Sequence, residues 1–268
     1  MVGAAVLAAA HAELTKILTL SRVWIVTGIV LAFHVLILLQ PAELFADAVA
    51  NMAPDGTIEV FSGRPQPATE AVLGLLVASS FQVGLFLPVL ATVIAGQEFR
   101  AQQIGLTALA VPRTARLLGA KLLATTAYVL AVAVVIAALS TAAMYRAVKN
   151  WDPALLLTQE AFLGHGRFIA FAVLYSLTGF AITMVARSTL TGIVVTVALV
   201  VVTMTQVLAR PAPYLDALLP LSAARNLLLD PAMNDLSAGR TSGLLVLSGW
   251  AVATAAAAAV TLHRRDAR

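Results

Sequence analysis

The 268-residue chain contains no cysteine, which excludes a disulfide framework, a thiolate nucleophile and a zinc–thiolate site. Charge is almost as scarce. Only 11% of the residues are Asp, Glu, Lys or Arg, against about 25% in a typical soluble domain. A chain this poor in charge cannot cover a water-facing surface, so an ordinary soluble enzyme is excluded. The pattern Gly-x-x-x-x-Gly-Lys-Ser/Thr is missing, and no Gly-Lys pair occurs anywhere, so the chain does not cradle nucleotide phosphates in that way. There is no His-Glu-x-x-His motif and no Gly-x-Ser-x-Gly elbow. The four histidines, His11, His34, His165 and His263, are scattered, and no metal site is expected.

What the chain has in abundance is apolar residues, at 60%, which excludes intrinsic disorder. The pI of about 9.9 invites a nucleic-acid partner. A net charge of +4 on so apolar a chain instead fits the cationic bias of membrane-protein loops, and no nucleic acid is expected.

A membrane helix needs about 20 mostly apolar residues. Six segments meet that need: 23–39, 71–95, 122–145, 168–186, 190–209 and 243–262. None contains Asp, Glu, Lys or Arg. Runs such as Ile193–Val202 are continuous rather than alternating, which favours helices over a β-barrel. The expected fold is therefore all-α, with six transmembrane helices. An even number of spans puts both termini on one side. That side carries ten of the Lys and Arg residues against seven, four of the ten crowded between Arg100 and Lys121, and it is assigned to the cytoplasm. Residues 1–20 are too interrupted to span. Val6, Leu7, Ala10, Leu14, Ile17 and Leu18 would share one helical face, giving an amphipathic helix in the membrane interface. The whole of 1–268 reads as one transmembrane domain.

Pro41–Glu70 reads as an outer loop with turns at Pro54–Gly56, and Leu215–Leu229 as an amphipathic piece on the outer membrane face. Pro88 should kink the second span. The absence of carboxylates within the spans weakens a proton- or sodium-driven carrier. His34 is expected to bond to a neighbouring helix. Ser79, Ser80 and Gln82 form one polar patch, and Thr203, Thr205 and Gln206 another. Ser79, Ser80, Gln82, Thr203 and Gln206 are candidates to line a substrate path, or equally to bond across helices. Glu160, His165 and Arg167 are the only group resembling a site for lipid chemistry.

The segment 96–113 is the most informative. A bare connector needs few residues, as Arg187-Ser188-Thr189 shows, whereas this one holds a short helix, Glu98–Ala110, then a break at Pro112. It reads either as a docking element for a cytoplasmic partner or as a helix lying on anionic lipid.

Three patches resemble the permease subunits of ABC-2-type transporters, especially six-span actinobacterial exporters. The first is Glu13-Leu14-Thr15-Lys16, leading to Arg22 and Trp24. The second is Glu98-Phe99 through Ile104 and Thr107 to Ala110-Val111-Pro112-Arg113 and Ala120-Lys121. The third is Leu219-Pro220-Leu221-Ser222-Ala223-Ala224. Gln102 departs from the family, which usually has glycine there.

The resemblance implies a non-enzymatic subunit of an ATP-driven exporter in a bacterial plasma membrane. It implies a second permease chain, as a homodimer, and two ABC ATPase subunits. The ATP and magnesium belong to those ATPases, and this chain holds no cofactor. Segment 96–113 becomes a coupling helix, with Glu98, Phe99, Arg100, Gln103 and Ile104 as ATPase contacts. Arg113 and Lys121 are then expected to steady the loop near lipid head groups. The alternative is a non-transporting scaffold or sensor that recruits a cytoplasmic ATPase by the same segment.

Overall fold

The computed structural model describes residues 2–60, 63–102, 114–229 and 234–266. Helix α1 (Val2–Thr19) is followed at once by α2 (Ser21–Ala50). A small antiparallel hairpin, β1 (Thr57–Ile58) with β2 (Gln66–Pro67), pairs Ile58 with Gln66. The second predicted span is α3 (Ala68–Gly84) and α4 (Leu87–Gly96), ending in a 3₁₀ turn, Gln97–Gln102. Then come α5 (Thr114–Val148), a 3₁₀ turn at Pro153–Leu157, α6 (Gln159–Ala186) and α7 (Thr189–Met204). Two short helices, α8 (Pro213–Ala217) and α9 (Pro220–Leu228), precede α10 (Arg240–Asp266).

Among the described residues, five helical stretches are long and apolar enough to cross a membrane: Ser21–Ala50, Ala68–Phe99, Arg116–Val148, Gln159–Ala186 and Arg240–Arg264. Their outward faces carry large apolar side chains, among them Ile25, Ile29 and Leu36 on α2 and Leu245 and Val252 on α10. Such a surface is tolerable only in lipid. The chain is thus an all-α, multi-pass, membrane-embedded protein. The predicted span 190–209 is shorter than expected. α7 has 16 residues, about 24 Å of helix against about 30 Å of hydrocarbon. Gln206 has φ 51°, a left-handed conformation that a helix cannot continue through.

Helix α6 is the central pillar, with 61% of its most apolar stretch buried, against 22% for α10 on the rim. Phe168, Phe171, Tyr175 and Phe180 of α6 are completely buried and form the middle of the main core. Phe81 of α3 packs on Phe171, ring centroids 5.5 Å apart. Gly84 permits this approach, since a Cβ there would lie 2.7 Å from the Phe171 ring.

Proline 88 breaks the second span as expected. It stands in the first turn of α4 and has no N–H to return to Gly84, so α3 ends at Gly84 and α4 restarts at Leu87. Pro41 does not act in the same way. α2 continues through it to Ala50, so the first part of the expected outer loop is helix. Buried Ala42, Phe45 and Val49 hold this extension, the last two in a second core with Val72, Leu76, Met144 and Val148. That packing outweighs one missing hydrogen bond. The turn at Pro54–Gly56 is present, with Gly56 at φ 79°.

Two further expectations change. Leu215–Leu229 is two helices rather than one, and α9 is buried from Pro220 through Ala224 rather than lying on an outer face. Its backbone touches α10 at Gly243, where a Cβ would meet the Ala223 carbonyl at 2.4 Å. On α1, Ile17 is buried and Leu14 packs on the core, whereas Leu7 and Leu18 point outward, so the expected single apolar face is divided.

Candidate functional site

Four charges from three elements meet at the end of the bundle where α1 ends and α5 begins. Glu13 and Lys16 lie on one face of α1, three residues apart. Glu98 follows α4, and Lys121 lies near the start of α5. Lys16 donates to Oε1 of Glu98. Lys121 donates to Oε1 of Glu13 at 2.8 Å and forms an ion pair with Oε2 of Glu98 at 2.9 Å. The Glu98 and Lys121 side chains are 5% and 4% exposed, and Lys16 is 30% exposed. Two acids and two bases sum to zero. Neutrality and mutual contact are what allow such groups to leave water.

Neighbouring contacts fix the geometry. Gly96 lets the end of α4 meet α7, since a Cβ there would fall 1.9 Å from Thr189 Oγ1. The chain leaves this contact directly into Gln97 and Glu98. On the other side Ile17, Leu118 and Ala120 are buried between α1 and α5. Trp24 donates to the Leu18 carbonyl at 2.7 Å, and its ring meets Tyr128 edge-on at 6.3 Å. Thr27 shares a 2.9 Å hydrogen bond with the same tyrosine.

Beside the cluster lies a cavity of about 10 Å³, lined in part by Thr125 and Phe180. It holds about one water, not a substrate. The cluster's ion pairs connect three elements. It is a joint locking α1, the turn after α4, and α5 together.

The sequence-predicted residues fall in several places. Glu98, expected on a partner-facing surface, is spent inside the joint. Phe99 is half-buried against the main core. Arg100 lies in the 3₁₀ turn, while Gln103 and Ile104, with most of the expected helix Glu98–Ala110, lie outside the described residues. Lys121, expected near head groups, is buried in the joint. Sequence reading does not mark Glu13 and Lys16 as site residues, although an acid and a base one turn apart in a chain so poor in charge are a readable signal.

Ser79 and Ser80 are buried and both donate to the Leu76 carbonyl at 3.2 Å. Ser80 Oγ also lies 2.8 Å from Ser140 Oγ, and Ser140 Oγ lies 3.0 Å from His34 Nε2. His34 Nε2 is 3.1 Å from the Ile136 carbonyl, so His34 bonds to a neighbouring helix as expected. Thr203 is buried and donates to the Leu199 carbonyl of its own helix, while Gln82 and Gln206 are exposed. None of Ser79, Ser80, Gln82, Thr203 and Gln206 lines the larger cavity, which measures about 760 Å³ and lies between α2 and α5. In the group read for lipid chemistry, Glu160 lies close enough to Arg167 to act on its charge. His165 is bonded to Thr141 at 2.9 Å and Glu160 is exposed. Among the described residues no three His, Asp or Glu side chains are placed to hold a metal ion.

No family model matches the chain, and no curated protein matches it.

Proposed function

We propose that the chain is the permease subunit of an ATP-driven exporter of the ABC-2 type. In this reading it sits in a bacterial plasma membrane with six spans, the sixth supplied by α7, and both termini in the cytoplasm. Two copies form the path as a homodimer. Two separate ATPase subunits bind and hydrolyse ATP with magnesium, and this chain does no hydrolysis itself.

One observation carries the reading. Two of the patches on which the resemblance rests, Glu13–Lys16 and Glu98–Lys121, converge in the ion-pair joint. Residues 97–102, the described start of the expected coupling segment, follow α4 at that joint. A force on them moves α1 and α5 together, because pulling Glu98 from Lys121 would strand buried charge at a cost of about 3–5 kcal/mol. Glu98 is then the pivot of the lever, Phe99 its packing anchor, and Arg100, Gln103 and Ile104 its contacts with the ATPase.

The test is capture of the partner ATPase, co-expressed with the permease, by wild-type chain and by Arg100→Glu. Reduced capture and reduced substrate-stimulated ATP hydrolysis, with normal membrane insertion, are expected of the variant. ATP hydrolysis by the purified chain alone would defeat the reading. ATPase capture with no stimulation by any substrate would favour a scaffold.

A further inference from the structure

We propose that the cavity of about 760 Å³ between α2 and α5 is a phospholipid site, with an acyl chain between the helices and the phosphate at Arg146 and Lys149. This inference is independent of the exporter reading.

The two helices run parallel. They are tied at Thr27–Tyr128 and again where His34 meets Ile136 and Ser140. The cavity opens at the level of that second tie, starting at Val35 on α2 and Leu139 on α5. From there α2 presents Ala42, Ala46 and Ala50, four residues apart, and α5 presents Ala143 and Ala147. Rows of small residues at that spacing normally let two helices close into contact. Here they front a space, and its volume lies in the range of about 300–1,000 Å³ seen for ligand sites.

The lining is graded along the helix axis. At the His34 end it is wholly apolar. At the opposite end, about 10 Å further along α5 by helical rise, it carries Arg146 and then Lys149. Both cations are exposed, and neither forms a salt bridge with a described residue. Glu43 is the one acid in the lining, so the mouth carries a net single positive charge. That complements the single negative charge of a phosphodiester. Trp151 also lines this end, a ring type that settles at the level of lipid head groups. An apolar slot with a cationic mouth and an aromatic beside it fits a lipid better than a water-soluble ligand.

The experiment is native mass spectrometry of the full chain released from phosphatidylcholine nanodiscs containing phosphatidylglycerol. Wild type should retain about one phosphatidylglycerol. Arg146→Gln/Lys149→Gln should bind it about tenfold more weakly, since each cation near a membrane surface contributes several-fold to binding an anionic lipid. Both cations are exposed, so this variant should fold normally. Ala143→Phe, which fills the slot and leaves the cations in place, should also lose the lipid. Absence of bound lipid from wild type, or undiminished retention by either variant, would overturn the proposal. The chain has no cysteine, so Ala143→Cys introduces a single thiol. A disulfide between two copies through that thiol in membranes would show a second copy in the slot, and would overturn it too.

Discussion

Lys121 Nζ lies 2.9 Å from Oε2 of Glu98, with both side chains withdrawn from the surface. The contact joins the start of one spanning helix to the segment that leaves the previous one. Glu13 and Lys16 of α1 complete the arrangement from the other side. A buried carboxylate and ammonium are stable only together. The four side chains therefore act as one unit, and separate motion of α1, α5 and the turn after α4 is costly.

Unequal sensitivity of the two lysines follows. Lys121→Ala leaves Glu98 and Glu13 facing each other with only Lys16 to compensate, and should cost about 3–5 kcal/mol. Lys16→Ala removes a side chain that is 30% exposed, and should cost about 1 kcal/mol or less. Glu98→Gln/Lys121→Met should recover part of the Lys121→Ala loss, because the cluster is again neutral and only Glu13, the less buried acid, is left without its lysine. Thermal unfolding of the purified chain in detergent reads all three, and equal losses for the two lysine variants would contradict the joint.

The all-α membrane class was legible because it depends on local quantities: charge-free apolar runs, the break at Pro88 and the short connector Arg187-Ser188-Thr189. Each of these has its cause within a few residues. What sequence reading missed has its cause far along the chain. α2 runs through Pro41 because Phe45 and Val49 meet side chains from α3 and α5. α9 is buried because Gly243, on α10, admits its backbone. The joint spans 82 residues from Lys16 to Glu98 and 108 from Glu13 to Lys121. No local pattern announces such a pairing, so Glu98 reads as a free surface acid until the fold brings the lysines to it.

Glycine substitutions should separate close helix contacts from open positions. A Cβ on Gly243 would lie 2.4 Å from the Ala223 carbonyl and 3.0 Å from the Leu227 amide nitrogen, both backbone atoms that cannot turn aside. Gly243→Ala should therefore force α9 off α10, with a loss of about 1–3 kcal/mol. A Cβ on Gly28 would meet nothing within 4 Å, so Gly28→Ala should be neutral or slightly stabilising. Melting temperatures of the two variants would show the contrast. A neutral Gly243→Ala would mean that the contact is not made.

The turn before the hairpin should respond to pH through one residue. Asp55 Oδ1 accepts from Thr57 Oγ1 at 2.7 Å and from the Thr57 amide at 3.1 Å, and these hydrogen bonds hold its carboxyl below the ordinary aspartate range. A folded-state value below the unfolded one stabilises the turn above about pH 4, the ordinary aspartate value. That contribution is lost as pH falls through the lower folded value. Amide exchange at Thr57 should accelerate there, beyond the intrinsic pH trend, toward the exchange of Asp55→Ala. If wild type and Asp55→Ala exchanged alike at neutral pH, the carboxylate would have no such part.

Ser140 is the branch point of the polar chain between α2, α3 and α5, and its hydrogen atoms can be assigned. The Ile136 carbonyl only accepts, so His34 Nε2 carries the proton that faces it at 3.1 Å and, in the shared position, Ser140 Oγ at 3.0 Å. Ser140 is then free to donate to Ser80 at 2.8 Å, and Ser80 to the Leu76 carbonyl at 3.2 Å. Removing Ser140 breaks two links between helices, whereas removing Ser80 breaks one between helices and one within α3. Ser140→Ala should cost about 1–2 kcal/mol and Ser80→Ala about 0.6 kcal/mol, the scale measured for hydrogen bonds between membrane helices. The double variant loses the Ser80–Ser140 bond only once, so its cost should fall short of the sum by about 0.5 kcal/mol or more. Strict additivity in thermal unfolding would show that the two hydroxyls are not partners, and the assigned donor order would fail with them.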